Sequence, residues 1–189
     1  MFDSQIHELP ICGTRQTSEP SAMPEPAQWY AIRTRGRCEK KVAAQLRDRG
    51  FEAFLPVYSE LRHWSDRRKV LDLPLFPGYT FLRACVSAEI RSLVLHTAGV
   101  MNFVGSPGYP QAIPDRQIDD VQLLLAQRVP FREHAFLNAG ARVRIRGGAL
   151  HGMEGILVAK NSDCSLVVSV ELIRRSIALR VQGYDVCPV

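Results

Sequence analysis

The chain has 189 residues, of which 46% are hydrophobic and 23% charged. That balance is ordinary for a globular protein and excludes wholesale disorder, collagen and a membrane bundle. No run of about eighteen apolar residues occurs, so no transmembrane helix and no membrane partner are expected. The length allows one or two domains. Net charge is +5, unevenly placed. Residues 1–28 set Arg15 against Asp3, Glu8, Glu19 and Glu25, a net −3, so the remainder carries +8. A basic body is compatible with a polyanionic partner.

The five cysteines, Cys12, Cys38, Cys85, Cys164 and Cys187, are scattered without a CxxC pair. This argues against a disulfide framework or a metal site and for a reducing compartment. The N-terminus lacks a basic-then-apolar signal pattern. A cytoplasmic protein is expected.

In chain order, residues 1–27 contain Pro10, Pro20, Pro24 and Pro26 among polar residues and read as a disordered leader. Trp29-Tyr30-Ala31-Ile32-Arg33 is aromatic and β-branched, a strand by composition. Val42 and Leu46 then lie at helical spacing across residues 38–49, and Gly50 sits where a helix would end. Residues 51–58 return to a strand, with Pro56 marking an edge or bulge. Runs 57–61 and 70–75 enclose a polar, basic hairpin tip. Phe76-Pro77-Gly78-Tyr79 is a turn, followed by the strand Thr80-Phe81-Leu82. Ser87 caps a second helix bearing Ile90, Leu93, Val94 and Thr97. Val100–Val104 is a short strand, and a third helix after Pro114 carries Ile118, Val121, Leu124 and Leu125. The order β-α-β-β-β-α-β-α predicts an α+β sandwich over 28–127, with helices against an antiparallel sheet. Residues 128–137 read as a linker. From there, 138–189 is all-β, with strands at 142–146, 155–159, 164–170 and 177–181, and predicts a small β-barrel.

Several of these segments carry a resemblance when taken together. Trp29-Tyr30-Ala31-Ile32, Glu39-Lys40-Lys41-Val42-Ala43 with Leu46, Phe54-Leu55-Pro56, Phe76-Pro77-Gly78-Tyr79 and Gly99–Gly105 follow one another in the order and spacing of the NusG family of transcription elongation factors. Gly140–Ile145, then Gly152 and Gly155-Ile156, resembles the start of a KOW motif. The pattern Arg62, Trp64, Arg68-Lys69 and Pro74–Tyr79 looks nearer the specialised paralogues, the RfaH-like and capsule-operon antiterminators. The resemblance implies a NusG-type N-terminal α/β sandwich followed by an SH3-like KOW barrel, acting as a monomer without a cofactor or catalytic residue.

The aromatic segment has two readings. Tyr79 and Phe81 share one strand face, with Phe76 around the turn. By themselves they fit core aromatics and an apolar hollow for a partner helix equally well. The resemblance favours the hollow, which in the family binds the clamp helices of the largest catalytic subunit of RNA polymerase. It implies Tyr79, Phe81, Phe76 and Ile32 as contact residues. The cations Arg33, Arg35, Arg37, Lys40 and Lys41 read either as a solvated face or as sequence-tolerant phosphate contacts. In the specialised relatives the second helix also faces non-template DNA, which implies Arg91, Ser92 and Thr97. Trp64, Arg67 and Arg68 at the hairpin tip could stack on a base and neutralise phosphate. In the barrel, Met153 sits where the family presents an apolar residue to a ribosomal small-subunit protein or to Rho.

These features predict a transcription elongation or antitermination factor that suppresses pausing and recruits a second partner through its barrel. The alternative is a KOW-type RNA-binding module acting on the ribosome or ribosomal RNA. A thiol enzyme is a third reading, but no spacing supports a nucleophile with its base, and the glycines match no phosphate-cradling motif. Gly140, Gly147, Gly148, Gly152 and Gly155, with abundant Val and Ile, predict that the C-terminal segment is β rather than helical.

Overall fold

Strand β1 (Gln28–Thr34) alternates strictly between two buried layers. Trp29 and Ala31 face one side; Ile32 and Thr34 face the other. The computed structural model describes residues 26–63, 68–106, 108–128, 130–134, 140–160, 163–181 and 184–189. The leader expected over residues 1–27 lies almost wholly outside them.

Helix α1 (Glu39–Asp48) follows, with Val42, Ala43 and Leu46 buried at helical spacing. It stops at Gly50, whose φ is +84°, as the sequence predicts. The run 51–58 divides at Leu55-Pro56 into two strands, because proline removes a ladder donor. Strand β2 (Glu52–Phe54) joins the main sheet. Strand β3 (Val57–His63) instead pairs with β4 (Arg68–Pro74) as a separate two-stranded hairpin. Strand β5 (Tyr79–Ala84) runs antiparallel to β1, placing Ala31 opposite Phe81 and Arg33 opposite Tyr79. Helix α2 (Ala88–Leu95) is capped by Ser87, whose hydroxyl accepts from the Ile90 amide at 3.2 Å. Next come β6 (Val100–Phe103), the short bridge of β7 (Gly105–Ser106) with β8 (Tyr109–Pro110), and β9 (Ala112–Ile113). Helix α3 (Asp115–Ala126) buries Ile118, Val121 and Leu124.

The main sheet has the order β2-β5-β1-β6, with β9 also on β1. Ile32, Leu82, Val42, Leu46 and Val94 form the core on the α1 and α2 side. Trp29, Ala31 and Phe81 form the opposite side with α3. The expected sandwich is present, with helices on both faces.

The C-terminal part is a six-stranded antiparallel sheet of order β10-β14-β13-β12-β11-β15. Its strands are β10 (Phe131–His134), β11 (Ala141–Arg146), β12 (Glu154–Lys160), β13 (Asp163–Val170), β14 (Arg175–Arg180) and β15 (Asp185–Pro188). A 3-10 turn at Glu171–Ile173 joins β13 to β14. Strand β10 falls inside the stretch expected to be linker. Phe131 is opposite Leu179 on β14, so the ladder edge draws the segment in despite its polar composition. Val143 and Ile145 are buried while Arg142, Arg144 and Arg146 are exposed, the alternation the sequence predicts. The described residues of this part hold strands and no α-helix.

Gly155 is fixed by close approach. A Cβ there would lie 2.5 Å from the Val167 carbonyl oxygen and 3.0 Å from Leu166 Cγ. Gly155→Ala should therefore destabilise the fold by about 2 kcal/mol, since neither backbone nor a buried Leu can yield cheaply. Urea unfolding should show a lower midpoint with an unchanged slope.

Candidate functional site

The turn Phe76-Pro77-Gly78-Tyr79 joins β4 to β5. Gly78 takes φ +84°, a conformation that strains any residue with a side chain. Its amide donates to Glu39 Oε1 at 2.8 Å, and its carbonyl accepts from the Thr34 amide at 2.9 Å. Glu39 is only 5% exposed. The turn is thus clamped between the end of β1 and the start of α1.

In front of this turn lies an open hollow of about 730 Å³. Tyr58, Leu73, Pro74, Pro77 and Gly78 make its apolar wall, and Arg37 and Lys40 also line it. Tyr58 and Leu73 are cross-strand partners on one face of the β3–β4 hairpin. The sequence reading missed them. Their signal was present: apolar Tyr58 and Leu73 alternate with polar Ser59 and Asp72, whose side chains hydrogen-bond at 2.6 Å.

The four aromatic and apolar residues expected to make the contact are placed differently. Phe81 is fully buried and Phe76 is 3% exposed; their rings meet edge to face at 6.1 Å. They support the wall from within rather than forming it. Ile32 is fully buried on the other face of β1, opposite Thr80, in the core with Val42 and Leu46. The strand's two-residue period separates it from Tyr79 and Phe81. Tyr79 alone keeps partial exposure.

The cations divide similarly. Arg33, Arg35, Arg37, Lys40 and Lys41 are exposed along the end of β1, the following turn and the first turn of α1. None makes an ion pair among the described residues. Arg68 is exposed on β4, while Trp64 and Arg67 lie outside the described residues. Of Arg91, Ser92 and Thr97, only Ser92 is openly exposed, with its hydroxyl 3.4 Å from His96 Nδ1. Arg91 is half-buried and its guanidinium donates to the Gly108 carbonyl. Thr97 is 2% exposed; its hydroxyl accepts from Arg49 at 2.9 Å and donates to the Leu93 carbonyl at 3.2 Å. Thr97 fastens the end of α2.

Met153 is fully buried. Its turn is covered by α3, where Arg116 donates to the Gly152 carbonyl at 2.7 Å and pairs with Glu154 at 2.9 Å. Gln117 accepts from the Glu171 amide at 3.1 Å. The two sheets therefore close on each other through α3, and one apolar core runs through both. Arg142 and Arg144 pair with Glu171 and Glu154, which leaves the arginine row of β11 largely neutralised.

Comparison with known proteins agrees with this architecture. The sequence model described as transcription termination factor NusG matches residues 27–122. The chain belongs to the NusG family. It is similar to the transcription termination/antitermination protein NusG of Lactococcus lactis, 26% identical over 84% of this chain and 91% of that protein. It is likewise similar to that of Staphylococcus carnosus, 27% identical over 82% and 92%. A solved structure describing domain interaction in Thermotoga maritima NusG shares the fold, with a TM-score of 0.51, 22% identity and coverage of 84% of this chain and 96% of that one. The protein is thus a NusG-type transcription termination/antitermination factor.

Asp120 on α3 faces the contact between the two sheets. Burial pushes its pKa up to about 6, helped by the Glu154 and Asp119 carboxylates and opposed by Arg116 and a backbone hydrogen bond at Glu154. An aspartate freed from the contact would ionise near its ordinary value of 3.8. The closed state thus holds the proton more tightly, so closure is fully favoured below about pH 4 and loses favour as pH rises to about 6. A distance measurement between labels at Gln122 and Arg180 should show opening across that window. Asp120→Asn should flatten the response and hold the contact closed at neutral pH.

Proposed function

We propose that the hollow beside the Phe76–Tyr79 turn is the RNA polymerase contact, receiving the clamp helices of the largest catalytic subunit. The observation that carries this reading is the hollow itself. It has an apolar wall of Tyr58, Leu73, Pro74 and Pro77, and its turn is clamped so that the wall exists before a partner arrives. A preformed apolar groove suits an amphipathic helix and spares the cost of ordering on binding. Tyr79, backed by Phe76 and Phe81, completes the support.

The cations Arg33, Arg35, Arg37, Lys40 and Lys41, which make no ion pair among the described residues, border the same surface, and they are the better candidates for non-template DNA. Such contacts position a strand without reading its sequence. Arg68 extends that surface in this reading, to which Trp64 and Arg67, outside the described residues, belong by their sequence pattern alone. A factor bound to both polymerase and DNA disfavours paused states by differential binding, a population shift without chemistry of its own. The pattern Arg62, Trp64, Arg68-Lys69 and Pro74–Tyr79 supports a specialised, RfaH-like antiterminator. The C-terminal sheet, with its KOW-like start, would recruit a second partner, a ribosomal small-subunit protein or Rho, once the turn at Met153 is uncovered. The alternative of a KOW module acting on ribosomal RNA is the weaker one, because Arg142 and Arg144 already have carboxylate partners.

Tyr58→Ala with Leu73→Ala tests the polymerase reading. The pair should weaken binding to RNA polymerase by at least about 10-fold, as expected for removal of two apolar anchors. Melting should stay cooperative with a somewhat lower midpoint, since both residues are only partly buried but the Tyr58–Phe131 contact is lost. Parental affinity in a folded double variant would refute the assignment.

A further inference from the structure

We infer that a second cleft, between the β3–β4 hairpin, the C-terminal end of α3 and β10, binds a small amphipathic carboxylate and that this ligand holds the C-terminal sheet closed. Such a ligand has an apolar body and one acidic head.

The cleft has a volume of about 580 Å³, within the range of small-molecule sites. Strand β3 contributes Val57 and Tyr58, and the end of α3 contributes Leu124 and Leu125. Pro130 and Phe131 make the third side. Val57 is 38% exposed, and Tyr58, Leu125 and Phe131 are half-buried, so a concave apolar surface is left to water. An apolar body that displaces this water is favoured. The cleft is separate from the hollow in front of the Phe76–Tyr79 turn, and Tyr58 is the residue the two share.

The polar groups select the head. Among the described residues of the lining, Arg128 carries the one charge. It is exposed and makes no ion pair among the described residues. Ser59, also in the lining, already donates to Asp72 at 2.6 Å. A guanidinium beside apolar surface recognises a carboxylate through paired hydrogen bonds and repels a cationic head.

Arg128 also stands where a side chain is costly. It follows the C-cap of α3 with φ +52°, and its amide donates to the Leu125 carbonyl at 3.2 Å. The matching residue after α1 is Gly50, with φ +84° and its amide on the Arg47 carbonyl at 2.8 Å. Glycine takes this left-handed conformation freely, whereas a residue with a Cβ is strained in it. Helix α3 thus keeps a long cationic residue where α1 uses glycine, and that residue lines the cleft. The last carbonyls of α3 carry partial negative charge, so the carboxylate has to sit against the guanidinium and away from the helix end.

The walls come from both halves of the molecule. Val57, Tyr58, Leu124 and Leu125 belong to the hairpin and α3, while Phe131 opens β10, which pairs with β14 of the C-terminal sheet. Undocking of that sheet removes the third wall, so the ligand binds the closed arrangement alone. At ten times its Kd, a ligand of one state lowers the ratio of open to closed molecules about 11-fold.

The test uses the full chain, with octanoate as the acidic probe and 1-octanol, of the same length but uncharged, as its control. Binding is read from the resonances of the Leu125 methyls, the Phe131 ring and the Arg128 Nε–H. Closure is read from the distance between labels at Gln122 and Arg180 at neutral pH. The expected result is saturable shifts with octanoate below about 10 mM, an affinity about 10-fold above that for octanol, and fewer open molecules as octanoate is added. Arg128→Gly removes the guanidinium and relieves the left-handed backbone, so the fold is retained. This variant should bind octanoate no better than octanol. Absence of saturable shifts in the parent, or parental octanoate affinity in Arg128→Gly, would overturn the site. Saturable binding that leaves the label distance unchanged would overturn its hold on the C-terminal sheet.

Discussion

The hydrogen bond from the Gly78 amide to the Glu39 carboxylate joins two parts of the chain that the candidate site needs together. Glu39 opens α1, and Gly78 sits at the one position of the aromatic turn where φ is positive. A buried carboxylate is tolerated only with strong donors, and a backbone amide held at 2.8 Å is one. The bond also fixes where Arg37 and Lys40 stand, since they flank Glu39 in sequence. Wall and basic border are therefore a single rigid feature. The same turn is tied to β1 through the Thr34 amide, so the site is referenced to the central strand of the sheet.

Helix α3 plays a second organising role. Its Ile118, Val121 and Leu124 are buried in a core that it shares with both sheets. Its polar residues Arg116 and Gln117 meet the C-terminal sheet at the Gly152 and Glu171 backbone. The apolar part of that contact is permissive, while the polar part selects one docking position. Met153 lies within it. A partner that reaches this turn must first displace α3, so exposure of the C-terminal surface and loosening of the closed arrangement are one event. Placing Asp120 in the same contact makes its strength sensitive to protonation.

Much of this architecture was legible in the sequence, and the failures have physical causes. Helical spacing of Val42 with Leu46, and of Ile118, Val121 and Leu124, gave α1 and α3 and their buried faces. The alternation of Arg142, Val143, Arg144, Ile145 and Arg146 gave β11. The turn at Gly78 was legible because only glycine is comfortable there. Burial of individual site residues was not. Tyr79, Phe81 and Ile32 all read as apolar strand residues, and period alone cannot say that Ile32 falls on the opposite layer until β1 and β5 are in register. Thr97 and Arg91 read as polar surface residues, yet their donors and acceptors are taken up by partners 48 and 17 residues away. Such long-range satisfaction leaves no local trace. Strand β10 was missed for the same reason: a polar segment becomes a strand when a neighbouring edge offers its ladder.

One contact links these themes. The Tyr58 ring lines the hollow on one side and meets Phe131 edge to face at 5.2 Å on the other. Phe131 is the first residue of β10, which pairs with β14 of the C-terminal sheet. An aromatic pair at this distance depends on the relative angle of its rings. Displacing Tyr58 therefore weakens the hold on the β10 end of the C-terminal sheet, while α3 still holds the Met153 end. In such a two-point attachment neither point alone sets the population of the open state, because each lowers the cost of breaking the other.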